Sequence, residues 1–100
     1  MIIRGTTRLL GIVGWPLTYT LSPVFQNAGL AAAGLDLAYL PFPVPPERFA
    51  DAVRGLRALG VRGFNVTIPY KETVLPFLDR IDPAAQAVGA VNTVVDEDSC

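Results

Sequence analysis

The chain has 100 residues, of which 51% are hydrophobic and 17% charged, with a net charge of −1. This is the composition of one small globular domain, and it offers no basic surface for nucleic acid or an anionic membrane. Histidine is absent and the one cysteine is Cys100, which excludes histidine-based catalysis, most zinc sites and a disulfide framework. With no membrane-length apolar run and no signal-peptide pattern, we expect a cytoplasmic protein.

The first half of the chain predicts a strand, a helix and a second strand. Leu9–Gly14 is apolar without alternation, which is typical of a strand buried on both faces. Ser22 and Pro23 predict an N-cap and a first helical residue, and the helix is expected to stop at Gly34. Residues 36–44 predict a strand whose two prolines favour the edge of a sheet.

The second half continues the alternation. Residues 45–60 predict an amphipathic helix, and residues 62–68 predict a third strand. A short helix is expected near residues 72–78, another over 82–89, and a last strand over 90–95. The apolar face of the long helix is predicted to consist of Phe49, Ala52, Val53, Leu56 and Leu59.

Strands that alternate with helices favour a mainly parallel sheet, because parallel strands need crossover connections. We therefore predict an open three-layer α/β sandwich with a twisted, mainly parallel sheet and helices on both faces. Residues 1–100 are expected to form one domain. Since only a polar segment follows the last predicted strand, we expect this domain to be part of a longer protein.

Polar side chains collect where the predicted strands end. Asn65 and Thr67 close the third strand, Lys71 follows them, and Asn92 lies in the last strand. Asparagine is disfavoured in strands, and ligands of open α/β sheets bind beyond the carboxyl ends of the strands. Lys71 is also the one lysine among eight basic residues. These amides, hydroxyls and one ammonium group favour a small polyhydroxylated ligand.

Thr20 and Ser22 add two hydroxyls beside the predicted start of the first helix. A helix N-terminus presents free N–H groups and a partial positive charge, so it favours an anion. A carboxylate would fit this position. The pattern as a whole therefore indicates a hydroxylated carboxylic acid.

Each of these residues also has a purely structural interpretation. Ser22 can serve only as a helix cap and Thr20 only as a turn residue. Asn65 and Asn92 can bond neighbouring backbone groups at strand ends. Lys71 can be a solvated residue at a helix start, although the helix dipole disfavours a cation there. Three aromatic residues are interpreted as core or rim residues: Tyr39, Phe64 and Tyr70.

Three segments resemble signatures of the shikimate dehydrogenase family and occur in the family's order. They are "GWPLTYTLSPVFQN" (Gly14–Asn27), "GFNVTIPYKE" (Gly63–Glu72) and "GAVNTVV" (Gly89–Val95). Together they cover nearly the whole chain. The resemblance implies the substrate-binding domain of an NADP-dependent oxidoreductase that reduces 3-dehydroshikimate to shikimate, on the route to chorismate and the aromatic amino acids.

The resemblance also implies roles for individual residues. Lys71 would be the catalytic lysine, since an ammonium group can stabilise and protonate the oxygen formed by hydride addition to a ketone. Arginine could not serve as the base in the reverse direction. The residues that would bind substrate are Thr20 and Ser22 for the carboxylate, and Asn65, Thr67 and Asn92 for the ring hydroxyls.

The same resemblance places other parts of the enzyme outside these 100 residues. No G-x-G-x-x-G follows any predicted strand, so the NADP(H)-binding domain is expected elsewhere. The aspartate that family members pair with this lysine is also expected beyond the chain, so neither Asp96 nor Asp98 is assigned to it. The resemblance implies no metal.

The chain departs from the family pattern at four positions. Trp15 stands where asparagine is common, Tyr19 and Gln26 stand where histidine is common, and Thr20 replaces a serine at the first carboxylate position. Related dehydrogenases that accept quinate also vary at the carboxylate pair, so a quinate/shikimate dehydrogenase is an alternative. Two further alternatives are a non-catalytic module that binds a shikimate-like hydroxy acid and a generic α/β domain without a small-molecule site.

Overall fold

Residues 2–78 and 93–95 are described by a computed structural model, and their strands form one mixed sheet. The strand order is β2-β1-β3-β4. β1 runs parallel to both β2 and β3, and β4 runs antiparallel to β3. The predicted mainly parallel sheet is therefore confirmed. The strands are β1 (Arg8–Gly14), β2 (Leu37–Pro43), β3 (Gly63–Val66) and β4 (Thr93–Val95).

Among the described residues, one α-helix follows β1 and another follows β2, as predicted. α1 spans Ser22–Ala32, and α2 spans Phe49–Ala58 after a 3-10 turn over Pro46–Arg48. Gly34 and Gly60 follow the two helices with φ angles of 71° and 73°. Glycine takes this left-handed conformation without a steric cost, so both predicted helix stops are confirmed.

Three predicted details need comment. The short helix expected near residues 72–78 is a 3-10 helix over Leu75–Phe77 that follows a run of turns, because Pro76 lacks the N–H that a longer α-helix would use. Leu59, the C-cap residue of α2, is 76% exposed although its N–H still donates to the Gly55 carbonyl, so its expected place on the apolar face is wrong. The predicted helix over 82–89 lies outside the described residues.

The main core lies between the sheet and α2. Phe49 of α2 stacks on Tyr70 with ring centroids 4.2 Å apart, and its ring meets Phe77 edge-on at 5.6 Å. Phe64 and Tyr70 are both buried, as predicted. Buried residues of this layer from the strands and α2 are Val13, Phe64, Val66, Phe49, Val53 and Leu56.

A smaller cluster lies on the face that α1 covers. It consists of Ile12, Leu17 and Tyr39, with Leu10 and Leu30 packed against it. Its position on the sheet face opposite the main core follows from the alternation of side chains along a strand. Helices therefore cover both faces of the sheet, as predicted.

β3 divides its side chains between these two layers. Phe64 and Val66 belong to the main core, whereas Asn65 is bonded to Tyr39 of the smaller cluster. Thr67, two residues after Asn65, points to the same side as Asn65 because strand side chains repeat with a period of two. The polar residues of β3 and its end therefore face the α1 layer.

β2 is an edge of the described sheet, as Pro41 and Pro43 predicted. Asn27 of α1 bonds the outer side of this strand. Its Nδ2 donates to the Tyr39 carbonyl oxygen, and its Oδ1 accepts from the Tyr39 N–H, both at 2.8 Å. The Asn27 side chain thus takes the place that a neighbouring strand would occupy.

Candidate functional site

A cleft of about 350 Å³ opens at the carboxyl ends of β1 and β3. These strands are parallel neighbours, so their ends meet at one edge of the sheet, where ligands of such sheets bind. Ile12 and Leu17 give the cleft an apolar part. Its hydroxyl-bearing lining residues are Thr18, Tyr19, Thr20, Ser22 and Thr67.

Backbone bonds continue the contact between β1 and β3 beyond the strands. The Thr67 N–H donates to the Val13 carbonyl at 2.9 Å, and the Trp15 N–H donates to the Ile68 carbonyl at 3.0 Å. A Cβ on Gly14 would lie 2.4 Å from Thr67 Cγ2 and 3.1 Å from the Ile68 oxygen. Glycine is therefore needed at this position to bring Thr67 beside the loop that follows β1.

Thr20 and Ser22 lie where that loop enters α1. The Thr20 N–H donates to the Leu17 carbonyl at 3.2 Å, and the Thr20 hydroxyl accepts from the Ser22 N–H at 3.3 Å. A hydroxyl has one proton to donate. The Thr20 proton is therefore left for another acceptor, such as a ligand in the cleft.

The prediction that Ser22 is the N-cap is wrong. Leu21 is the N-cap and makes no side-chain capping bond, and Ser22 is the first helical residue. The Ser22 N–H at the start of the helix donates to the Thr20 hydroxyl, so a side chain that precedes Ser22 bonds this end of the helix. The structural interpretation of Ser22 as a cap consequently loses its support.

Asn65 precedes Thr67 by two residues and lies on the same face of the sheet. Both the oxygen and the nitrogen of its carboxamide are hydrogen-bonded. Its Oδ1 accepts from the Tyr39 hydroxyl at 2.7 Å, and its Nδ2 donates to Thr93 Oγ1 at 3.1 Å. Tyr39 is 4% exposed, and burial raises the pKa of its phenol. The side chain of Asn65 thus connects β2, β3 and β4.

The sequence identified Tyr39 as a core or rim residue, and its burial confirms this. Its polar contact was missed. A tyrosine in a buried position commonly finds a hydrogen-bond partner for its hydroxyl. The presence of tyrosine instead of phenylalanine in the apolar run of β2 was the available signal.

Lys71 follows the turn at the end of β3. The Tyr70 N–H donates to the Thr67 carbonyl at 2.9 Å, and the buried Tyr70 hydroxyl donates to the Val44 carbonyl. The turn is thereby anchored immediately before Lys71. The Lys71 side chain is exposed and makes no hydrogen bond or ion pair with the residues that the structure describes.

Thr20, Ser22 and Thr67 are therefore brought together in one cleft. Asn65 lies beside them on the same face of the sheet, and Lys71 lies on the turn that leaves Thr67, outside the cleft lining. Asn92 lies outside the described residues.

Within residues 2–78 and 93–95, no group of three or more His, Cys, Asp or Glu side chains could hold a metal ion. None of the helices there has the length and apolar character needed to cross a membrane.

The fold and the cleft define a small α/β domain with a cleft at the carboxyl ends of two parallel strands. Residues 12–94 match the family model described as the shikimate dehydrogenase substrate binding domain. The chain belongs to this family, and the resemblance seen in its sequence motifs is confirmed.

Similar proteins carry the same family name. The NADP(+) shikimate dehydrogenase of Geobacter metallireducens is 62% identical over 94 residues, which are 94% of this chain and 33% of that relative. The chain spans about a third of the length of the curated relatives it matches.

Solved structures agree with the sequence comparison. Shikimate dehydrogenase from Aquifex aeolicus superimposes with a TM-score of 0.94 and is 46% identical, covering 98% of this chain and 37% of that one. Shikimate 5-dehydrogenase from Listeria monocytogenes, in complex with shikimate and NAD, gives a TM-score of 0.92 and is 44% identical, covering 97% and 34%.

Proposed function

We propose that residues 1–100 form the substrate-binding domain of a cytoplasmic NADP-dependent shikimate dehydrogenase. This enzyme would reduce 3-dehydroshikimate to shikimate on the route to chorismate and the aromatic amino acids. The observation that carries the proposal is the convergence of Thr20, Ser22 and Thr67 on one cleft in a chain of this family. The cleft volume of about 350 Å³ is at the small end of the range for ligand sites.

Thr20 and Ser22 bind the substrate carboxylate in this proposal. Both hydroxyls lie in the cleft at the start of the 11-residue helix α1, where the helix dipole favours negative charge. The Thr20 hydroxyl accepts the Ser22 N–H and keeps its own proton to donate to a carboxylate oxygen. Bonds to a charged acceptor are stronger than bonds between neutral groups.

The ring hydroxyls of the substrate are bound by Asn65, Thr67 and Asn92. Thr67 contributes a hydroxyl to the cleft lining, and Asn65 faces the same side of the sheet with its amide oriented by two neighbours. Groups that are held before the ligand arrives lose less conformational entropy on binding. This arrangement supports selection of a polyhydroxylated ring.

Lys71 is the catalytic residue in the proposal. Its Nζ ammonium stabilises the negative charge that develops on the substrate oxygen and donates the proton, and the neutral amine accepts it in the reverse direction. Arginine, which is effectively always protonated, cannot complete that cycle. Bound NADPH supplies the hydride. The chain contains no G-x-G-x-x-G, so its residues do not fit this cofactor, and we place the cofactor site outside the chain.

The proposal is tested by titrating the chain with shikimate and with quinate, using calorimetry. We expect shikimate to bind, and Ser22→Ala to weaken its binding about tenfold or more through loss of a bond to a charged group. The free energy of unfolding should change little, because Ser22 makes no side-chain capping bond. Thr73→Ala, which removes an exposed hydroxyl outside the cleft, is the matched control.

Each outcome of this titration has a defined meaning. A folded chain that binds neither acid, or a Ser22→Ala variant with unchanged affinity, contradicts the proposed site. Tighter binding of quinate than of shikimate would favour the quinate/shikimate dehydrogenase alternative.

A further inference from the structure

A chain of side-chain hydrogen bonds crosses the molecule below the cleft. Asn27 of α1 bonds both the N–H and the carbonyl of Tyr39, the Tyr39 hydroxyl donates to Asn65 Oδ1, and Asn65 Nδ2 donates to Thr93 Oγ1. These bonds join α1, β2, β3 and β4. Tyr39 is the central residue of these bonds. Asn27 bonds its backbone, and its hydroxyl bonds the side chain of Asn65, a proposed substrate-binding residue.

The two ends of the Asn65 carboxamide lie in different surroundings. The bond from the Tyr39 hydroxyl to Oδ1 is partly buried, whereas the bond from Nδ2 to Thr93 is exposed. Oδ1 is therefore turned toward the interior of the α1 layer, and Nδ2 toward the accessible side. Since Nδ2 has two hydrogens, one remains available to a ligand after the bond to Thr93.

Tyr39 determines this orientation because its hydroxyl has to donate. The residue is 4% exposed, burial raises the pKa of its phenol, and its acceptor among the described residues is Asn65 Oδ1. A carboxamide turned by 180° would present Nδ2 to the hydroxyl and leave the buried phenolic proton without an acceptor. Leaving a buried donor unpaired is costly, whereas the bond from Nδ2 to Thr93 is exposed to solvent, so water can replace it.

We propose that Tyr39 is a positioning residue that fixes the Asn65 carboxamide so that Nδ2 meets the ligand as a donor. This proposal rests on the proposed function, because it concerns the same substrate site. The ligand group that faces Asn65 must then be an acceptor, such as a hydroxyl or keto oxygen. An ammonium group at the same ring position is rejected, because it has donors only and leaves both partners unpaired.

The test compares shikimate with its three ring-amino analogues, in each of which one hydroxyl is replaced by an ammonium group. Affinities are measured on the unsubstituted chain, on Tyr39→Phe and on Asn65→Asp. Tyr70→Phe is the matched control, because it removes a second buried tyrosine hydroxyl whose acceptor is the Val44 backbone in the other layer. Asn65→Asp identifies which ring position faces residue 65. The analogue with its ammonium group at that position should gain affinity relative to shikimate in this variant.

We expect Tyr39→Phe to weaken shikimate binding about tenfold, as for loss of one ordinary hydrogen bond. The same variant should reduce the penalty against the amino analogue about tenfold, because the released carboxamide can now present Oδ1. Tyr70→Phe should leave this selectivity unchanged, even where it lowers the melting temperature. A merely structural role for Tyr39 would change stability without changing selectivity.

A measurement without ligand keeps the two proposals distinguishable. The side-chain amide resonances of Asn65 in ¹⁵N NMR spectra should shift in Tyr39→Phe and remain in place in Tyr70→Phe. Absence of shikimate binding together with this shift contradicts the proposed function, while the contact by which Tyr39 orients the Asn65 carboxamide still holds. Shikimate binding with unchanged Asn65 resonances and unchanged selectivity in Tyr39→Phe overturns the positioning role and leaves the proposed function standing.

If Tyr39→Phe does not fold, Asn65→Asp decides the question. A fixed donor predicts that the unsubstituted chain rejects the amino analogue and that Asn65→Asp reverses the preference. Equal affinity of the unsubstituted chain for shikimate and for all three analogues contradicts the proposal.

Discussion

At the scale of single residues, Gly14 controls how closely β1 approaches the segment that follows β3. Thr67 Cγ2 occupies the space that a side chain at this position would need. The Thr20 hydroxyl lies on the loop after β1 and the Ser22 hydroxyl on the first residue of α1, and Thr67 lines the same cleft. The spacing between the two walls of the site therefore depends on the absence of a side chain at one position.

We predict that Gly14→Ala destabilises the chain by about 1–3 kcal/mol, the usual cost of forcing extra volume into a packed site, and weakens shikimate binding by displacing Thr67. Denaturant unfolding and calorimetry measure the two effects. Gly29→Ala is the control, because a Cβ there meets nothing within 4 Å and alanine favours the helix by up to about 1 kcal/mol. Equal stabilities of the two variants would contradict the assigned role of Gly14.

Residue type and position were enough to predict part of the site. Thr20, Ser22 and Thr67 were identified because hydroxyls cluster where predicted strands end, and the structure brings these three to one cleft. The contact between Tyr39 and Asn65 could not be predicted, because it depends on the order and register of β2, β1 and β3. Those pairings are set by tertiary packing between segments 26 residues apart.

At the scale of elements, β2 is protected by a side chain instead of a strand. Exposed strand edges invite pairing with other chains, and Asn27 satisfies both backbone groups of Tyr39 on that side. The same two bonds fix α1 against β2. Because α1 begins at Ser22, the contact that closes the edge also positions one wall of the cleft.

We predict that Asn27→Ala lowers the free energy of unfolding by about 1–3 kcal/mol, since it leaves two backbone groups of a buried residue unpaired. It should also increase aggregation through the uncovered edge. Thermal unfolding and light scattering test these effects, with Gln26→Ala, an exposed neighbour on α1, as the control. Unchanged stability and solubility of Asn27→Ala would show that the Asn27 bonds to β2 neither stabilise the fold nor prevent pairing at this edge.

Local signals predicted the helix ends better than the segment after β3. Gly34 and Gly60 stop the two helices at positive φ, which is a property of the residue itself. The segment over residues 72–78 had the composition of a helix, but Pro76 restricts it to turns and a 3-10 turn. Leu59 fits the helical spacing of α2 and its N–H bonds the Gly55 carbonyl, yet its side chain is 76% exposed. Helical spacing alone therefore does not ensure that a side chain at a helix end is buried.

At the scale of the whole molecule, the two faces of the sheet differ in what they contain. The α2 face holds the larger buried core, whereas the α1 face holds a three-residue cluster and opens into the cleft. The sequence of β3 already contains this division, since Phe64 and Val66 alternate with Asn65 and Thr67. Alternation predicted the layered α/β architecture, but not the strand order or the antiparallel β4, which depend on long-range pairing.

We propose that this chain supplies the substrate site and the catalytic lysine, Lys71, of a shikimate dehydrogenase. The most direct measurement uses a chimaera in which the chain replaces the matching third of the Geobacter metallireducens enzyme. NADP(+)-dependent oxidation of shikimate is followed in this chimaera, in its Lys71→Arg variant and in Glu72→Gln, which alters an exposed neighbouring charge.

We predict that the chimaera oxidises shikimate and that Lys71→Arg lowers kcat about 100-fold or more, in the range for loss of general acid–base catalysis. The KM for shikimate should change much less, because the carboxylate and hydroxyl contacts of the cleft are retained. Glu72→Gln should keep nearly full turnover. A Lys71→Arg variant with a kcat close to that of the unsubstituted chimaera would contradict the account.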